Sequence, residues 1–307
     1  MNDFNPICVW PLGAELGEGP IWHDVERALY FVDIKGRKIH RWQPDSDQRS
    51  SWTTPAQPGF VVRLIDDALL CGMQGGLFRF SPAEGSFFLL HKVEAHLPDN
   101  RLNDGHVDVK GRLWFGSMSD KETEVTGSLY RLDVDHEPAI ADSGYVITNG
   151  PVLSPDGLHL YHTDTLERKI YVFDVMPDGQ LLNRKIFLNT EEPGYPDGMA
   201  VDVEGCIWVA FFGGWRIDRF SAEAQKLKSV CMPCANITKL AFGGSDLRTL
   251  YVTSATKGLS SQQRSEQPLA GGLFTFHSPV AGLPSNECLS WFGIPPKAVD
   301  KSLDDCC

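Results

Sequence analysis

Asp104-Gly105-His106-Val107-Asp108, then Leu113-Trp114-Phe115-Gly116, then Ser128-Leu129-Tyr130-Arg131-Leu132 is the stretch that decides how this chain folds. An Asp-Gly turn opens it, and each run that follows is short and rich in β-branched and aromatic residues, the pattern of strands joined by tight turns. The same order recurs along the chain. Related starts stand at Glu18-Gly19-Pro20-Ile21-Trp22, Pro58-Gly59-Phe60-Val61-Val62, Asn149-Gly150-Pro151-Val152-Leu153, Asp197-Gly198-Met199-Ala200-Val201 and Ile237-Thr238-Lys239-Leu240-Ala241, which makes six copies in all. Their spacing is roughly 40 to 50 residues, the length of a four-stranded propeller blade. The sequence therefore predicts an all-β protein, a six-bladed β-propeller in a single domain.

Other copies repeat the strand pairs, as in Leu29-Tyr30-Phe31-Val32-Asp33 before Ile39-His40-Arg41-Trp42, and Leu160-Tyr161-His162-Thr163 before Ile170-Tyr171-Val172-Phe173. Pro155-Asp156-Gly157 and Pro177-Asp178-Gly179 supply residues that tolerate the positive φ of hairpin turns. Amphipathic helices are not expected. A propeller must close its ring, and Ile7-Cys8-Val9-Trp10 is expected to pair beside Gly272-Leu273-Phe274-Thr275-Phe276, which removes exposed strand edges. Gly258 to Gly271 read as a polar surface loop, and residues 296–307, ending in Cys306-Cys307, as a frayed tail.

The 307 residues, 42% hydrophobic, suffice for one large core. A formal charge of -12, from 40 acidic and 28 basic residues scattered along the chain, leaves no basic stripe for phosphates or anionic lipid. Nucleic acid and membrane are therefore not expected partners. Met1-Asn2-Asp3-Phe4-Asn5-Pro6 has no basic region ahead of an apolar stretch, so the chain reads as soluble and cytoplasmic. Eight cysteines spread over such a chain read as reduced thiols. Cys231-Met232-Pro233-Cys234 has the spacing of a metal or redox pair, but no second pair or nearby His completes a zinc site, and burial or an edge strand is the better reading.

The residue before the Gly of each copy falls where the chain enters the innermost strand, and those entries encircle the channel. In order they are Glu18, Pro58, Asp104, Asn149 and Asp197, while the sixth copy has no Gly there. Taken singly, each acid or amide is explained by capping its own turn. Four oxygen-bearing side chains at one repeat position instead point to a cation, since converging carboxylates repel unless compensated. Oxygen donors favour calcium, magnesium or manganese, and zinc or ferrous iron also accept mixed oxygen sets with water.

Leu16-Gly17-Glu18-Gly19-Pro20-Ile21-Trp22, Arg101-Leu102-Asn103-Asp104-Gly105, Gly111-Arg112-Leu113-Trp114-Phe115-Gly116-Ser117-Met118, Thr148-Asn149-Gly150-Pro151 and Tyr195-Pro196-Asp197-Gly198-Met199 together resemble the SMP-30/gluconolactonase family over nearly the whole chain. Within it the chain is similar to bacterial sugar lactonases that act on xylonolactone and arabinonolactone. It shares with them Phe31-Val32-Asp33-Ile34-Lys35, Tyr161-His162-Thr163-Asp164-Thr165-Leu166-Glu167 and Lys257-Gly258-Leu259-Ser260. The resemblance implies metal ligands at Glu18, Asn149 and Asp197 and substrate-binding residues at Arg101 and Asn103. Asp104 then becomes a neighbour that orients Asn103 or water. In some relatives an acidic residue after a Gly-Thr-Met stretch contacts sugar hydroxyls. Here Ser117-Met118-Ser119-Asp120-Lys121 offers Asp120 one position early and Lys121 at the matching place, which leaves both open.

The expected chemistry is hydrolysis of a sugar-acid lactone to the free aldonic acid, following a dehydrogenase in sugar oxidation. One divalent ion is expected to polarise the carbonyl, while Asp197, as ligand or adjacent base, takes a proton from water. No Gly-x-Ser-x-Gly elbow supports a serine nucleophile. His106 and His162 read as packed or solvated, and Trp208, Phe211, Phe212 and Trp215 as core rather than a sugar platform. Competing readings are a metal-dependent phosphotriesterase or arylesterase on the same scaffold, and a calcium-binding propeller without catalysis.

Overall fold

Gly17–His23, Pro58–Leu64, Asn100–Val107, Thr148–Leu153, Tyr195–Val201 and Ile237–Gly243 are buried almost from end to end, whereas the outer Gln48–Thr53 and Ser86–Lys92 are mostly exposed. Strands flanked on both sides by other strands need apolar or small residues on both faces, which is why the inner strands lack clean alternation. The computed structural model describes residues 4–289 except 67 and 135. The expected tail at 296–307 lies outside the described residues.

Each inner strand starts a four-stranded antiparallel blade, numbered 1 to 6 in chain order, and the inner strands touch in sequence until that of blade 6 meets that of blade 1. Blade 6 is completed by the N-terminus: Ile7 pairs with Thr275 and Cys8 with Phe274, as the closure argument requires. Large side chains fill the wedges between blades. Phe60, Leu102 and Phe115 join blades 2 and 3, while Trp208, Phe242 and Phe274 join blades 5 and 6. Each such buried side chain stabilises the ring by about 1.5–3 kcal/mol relative to exposure.

Two features differ from expectation. The polar loop contains a short helix, Ser261–Glu266, which Ser260 caps through a capping box and which buries no residue. Glu287–Cys288 adds a parallel fifth strand inside blade 2, opposite Arg63 and Leu64, and Asn286 Nδ2 donates to Val107 O at 3.0 Å. This segment covers the far end of the channel. Leu283, Pro284 and Asn286 close a cavity of ≈ 100 Å³ together with inner-strand residues such as His106 and Lys239.

Asp108 and Asp202 fix two hairpins in a way the sequence reading passed over. Asp108 accepts from the N–H groups of Lys110 and Arg112 and from Trp114 Nε1; Asp202 accepts from those of Glu204 and Cys206 and from Trp208 Nε1. The signal is Asp-x-x-Gly-x-x-Trp, present at Asp108 to Trp114 and at Asp202 to Trp208. A carboxylate placed there satisfies two turn amides and the indole that follows.

Candidate metal and lactone site

Every inner strand carries one extra residue near its start, which bends the strand and turns side chains toward the channel. In blade 1 the ladder runs from Glu18 opposite Val32 to Ile21 opposite Tyr30, and in blade 4 from Asn149 opposite Thr163 to Val152 opposite Tyr161. In blade 5 it runs from Pro196 opposite Phe211 to Met199 opposite Val209. By register, then, Glu18 and Asn149 are equivalent, but Asp197 stands one place further, inside the bulge. Asp104 stands one place further again, since in blade 3 the ladder breaks between Leu102 and Gly105. The single repeat position expected for these residues is thus three successive positions. The reason is that glycine sits at different points of the bulge. Gly19 and Gly150 follow the ladder residue and take φ of 54° and 67°, whereas Gly198 follows Asp197 without a positive φ.

The spread does not separate the side chains. Glu18, Asn149, Asp197, Arg101 and Asn103 line one pocket of ≈ 230 Å³ at the channel mouth, with apolar walls that include Leu16 and Phe212. Each is held from behind. Asp33 accepts from the backbone N–H groups of Glu15 and Leu16 at 3.0 Å, which fixes the approach to Glu18. Asn149 Nδ2 donates to Thr165 Oγ1 at 2.9 Å, and that hydroxyl donates to Pro196 O at 2.9 Å, tying blade 4 to blade 5 beside Asp197. Asn103 Nδ2 donates to Thr148 O at 2.6 Å and to Asn149 Oδ1 at 2.8 Å, and Asn103 Oδ1 accepts from Arg101 Nη1. Blade 2 contributes no ligand: Pro58, which holds the ladder place of Glu18 and Asn149, has no donor side chain, and at Gly59 a Cβ would collide with the carbonyl oxygens of Leu102 and Asn103.

Asp120 and Lys121 point different ways. Asp120 receives Arg101 Nε at 2.9 Å, Lys35 Nζ at 2.6 Å and Gln57 Nε2 at 3.1 Å, which sets it behind the Arg101 that lines the pocket. These donors outweigh burial and hold its carboxyl at about 2. Lys121 is exposed and pairs with Asp99 at 2.8 Å. Glu122, with Lys257 as its ion-pair partner, completes the rim.

Glu18, Asp104 and Asp197 are all buried, and their charges oppose one another. Burial, and next the Asp104 carboxylate, push Glu18 up to about 8. Burial, then Glu18 and Asp104, raise Asp197 well above the ordinary carboxylate range. Asp104 Oδ2 is buried without a hydrogen-bond partner. Hard oxygen donors, a repulsion that Lys239, Arg101 and Lys257 offset only in part, and an orphaned carboxylate oxygen beside them together fit a divalent cation held by Glu18, Asn149 and Asp197.

Asp202, Glu204 and Cys206 also stand within metal-binding reach of one another. Both carboxylates are already engaged: besides its three hairpin bonds, Asp202 accepts from Arg219 Nε at 2.8 Å, and Arg219 Nη2 pairs with Glu204 at 2.6 Å. A guanidinium occupies the place a cation would take, so this cluster is structural. Cys231 is exposed and Cys234 wholly buried, its thiol pushed up to about 11 by burial, consistent with the reading of that pair as structural. His162 is buried in blade 4 against Tyr145, and His106 lines the channel cavity rather than the pocket. Trp208 and Phe211 are core, Phe212 walls the pocket, and Trp215 is 43% exposed.

Residues 16–256 match the family model of the SMP-30/Gluconolactonase/LRE-like region. L-arabinolactonase of Azospirillum brasilense is 37% identical over 274 residues, 87% of this chain and 90% of that protein. The 6-deoxy-6-sulfogluconolactonase of Pseudomonas putida is 31% identical over 277 residues, 90% and 95% of the two chains. The crystal structure of a calcium-binding protein, regucalcin, from Agrobacterium tumefaciens superposes with a TM-score of 0.89 at 27% identity, covering 92% of this chain and 97% of that one. With a match that runs through all six inner strands, the chain belongs to the SMP-30/gluconolactonase/LRE-like family.

Proposed function

We propose that this chain hydrolyses a sugar-acid lactone to the free aldonic acid at the pocket formed by Glu18, Asn149, Asp197, Arg101 and Asn103, with one divalent metal ion as cofactor. The chain is a lactonase by its kinship with named lactonases across most of its length. The observation that carries the metal-dependent reading is the convergence of buried Glu18 and Asp197 with the Asn149 amide in one small pocket.

A divalent ion bound there, calcium, manganese or magnesium by donor type and zinc or ferrous iron as further candidates, supplies Lewis acidity at the lactone carbonyl and acidifies water. The protein's own groups do the rest. Arg101, fixed by Asp120 and Asn103, presents a preorganised guanidinium to ring and carbonyl oxygens. Asn103 sits between that guanidinium and Asn149 and so sets the substrate against the ligand side chains. Asp197, as ligand or adjacent base, accepts the proton of the attacking water. Water adds to the carbonyl carbon, the acyl C–O bond breaks, and the ring oxygen leaves with the proton that Asp197 had taken, as the hydroxyl of the aldonic acid. Leu16 and Phe212 give the pocket apolar walls beside these groups.

The test is hydrolysis of an aldonolactone and of a phosphotriester by the native protein and by Asp197→Ala, with circular dichroism to confirm the fold. The expected result is lactone hydrolysis that falls by roughly a thousandfold in the variant. Undiminished lactone hydrolysis by a folded Asp197→Ala, or a preference for the phosphotriester, overturns the reading.

A further inference from the structure

Lys239 belongs to the one blade whose start lacks the glycine. In blade 6 the ladder breaks between Ile237 and Leu240, so Lys239 is the second residue of the bulge, the place Asp104 takes in blade 3. Blades 3 and 6 face each other across the ring. The Lys239 ammonium crosses the channel and pairs with Asp104 Oδ1, with side-chain exposures of only 7% and 2%. Blade 5 makes room at the same place. Gly198 of blade 5 is required, since a Cβ there would lie 2.5 Å from Lys239 Cγ and 2.6 Å from its Cβ. A lysine buried at this depth needs a strong partner, because an isolated ammonium is costly to desolvate.

The position has a charge consequence. Arg101 with Asp120 and Lys257 with Glu122 form neutral ion pairs, which leaves Glu18, Asp104 and Asp197 with three negative charges and Lys239 with one positive, a formal total of -3 + 1 = -2. A single divalent ion cancels that total. Without Lys239, Asp104 would have no cation but the metal, and its oxygen would be drawn toward it as an additional ligand.

We infer that Lys239 is a positioning residue: a built-in cation that holds Asp104 out of the ligand set and fixes the charge of the site at the value one divalent ion neutralises. The inference rests on the proposed reading that Glu18, Asn149 and Asp197 hold the metal. Its consequence is selectivity for doubly over triply charged ions.

The experiment is calorimetric titration of the chelator-stripped full chain with Ca²⁺ and with Tb³⁺, for the native protein, Lys239→Met, Asp104→Asn and the double variant. Lys239→Met takes the formal charge to -3, so the affinity ratio of Tb³⁺ to Ca²⁺ is expected to rise by about tenfold or more. Asp104→Asn takes it to -1 and is expected to lower the affinity for both ions, Tb³⁺ the more. The double variant restores -2, and its ratio is expected to return to the native value. A purely packing role for Lys239 weakens both ions alike, and an unchanged ratio in both Lys239→Met and Asp104→Asn overturns the inference. Should Lys239→Met not fold, Asp104→Asn, which preserves volume, decides by itself. Failure of the native protein to bind either ion contradicts the metal reading instead, so the two failures are told apart.

Discussion

Asn103 donates from its Nδ2 to Oδ1 of Asn149 at 2.8 Å, so the amide proposed as a metal ligand in blade 4 is aimed by an amide of blade 3. The same Asn103 accepts from Arg101 Nη1, which makes it the joint between the group that holds substrate and the group that holds the ion. A side chain with two such ties affects both functions when removed.

Asn103→Ala is therefore expected to lower kcat/KM by about a hundredfold, and to weaken the divalent ion by roughly tenfold because Asn149 loses its orienting donor. Steady-state lactone hydrolysis and metal titration of the same preparation check this. A variant with weakened catalysis and native metal affinity would detach Asn103 from Asn149.

Asp202 answers a different question. Its carboxylate satisfies the Glu204 and Cys206 amides, the Trp208 indole and Arg219, so Asp202→Ala is expected to cost about 3 kcal/mol, chiefly by leaving the Cys206 amide and the buried Trp208 indole N–H without an acceptor, while Arg219 keeps Glu204. Urea denaturation measures the loss. Glu204→Gln with Cys206→Ala, in turn, is expected to leave the metal stoichiometry at its native value, and a lost equivalent in that double variant would make the cluster a true site.

His162 sets an acid limit on the fold. It is buried against Tyr145 with both ring nitrogens unpartnered, and burial, helped by Arg184, lowers its pKa from 6.5 to about 3. Between those values the unfolded chain binds a proton that the folded chain refuses, so stability rises with pH in this window and is lost as pH falls from 6.5 toward 3. His40, lowered to about 4 chiefly by burial, acts in the same direction. In His162→Phe the loss is expected to be shallower, the variant gaining on the native protein by up to about 1.4 kcal/mol per pH unit. Denaturant titrations at pH 7, 6, 5 and 4 read this directly, and parallel stability curves would remove His162 from the account.

The sequence made the blades legible because each one repeats its turn chemistry and its apolar strands, and even the closing pair of Ile7–Trp10 with Leu273–His277 followed from the need to hide edges. The ring of oxygen-bearing residues pointed to Glu18, Asp104, Asn149 and Asp197, the family resemblance narrowed the expected ligands to Glu18, Asn149 and Asp197, and these three line one pocket. Their register was not legible, since a bulge can place its glycine at either extra residue and the ladder alone shows which. Lys239 escaped notice for a related reason: its partner Asp104 is 135 residues away and meets it only when the ring closes. The strand Glu287–Cys288 had no alternating pattern to announce it, as its register comes from the exposed inner edge of blade 2.

The central claim, that this pocket hydrolyses lactones through one bound divalent ion, is tested most directly by the lactonase rate of chelator-stripped protein as a divalent cation is titrated back. The account predicts a rate near background after stripping that climbs linearly and levels off at one equivalent per chain. A stripped protein that hydrolyses the lactone at its full rate would contradict it.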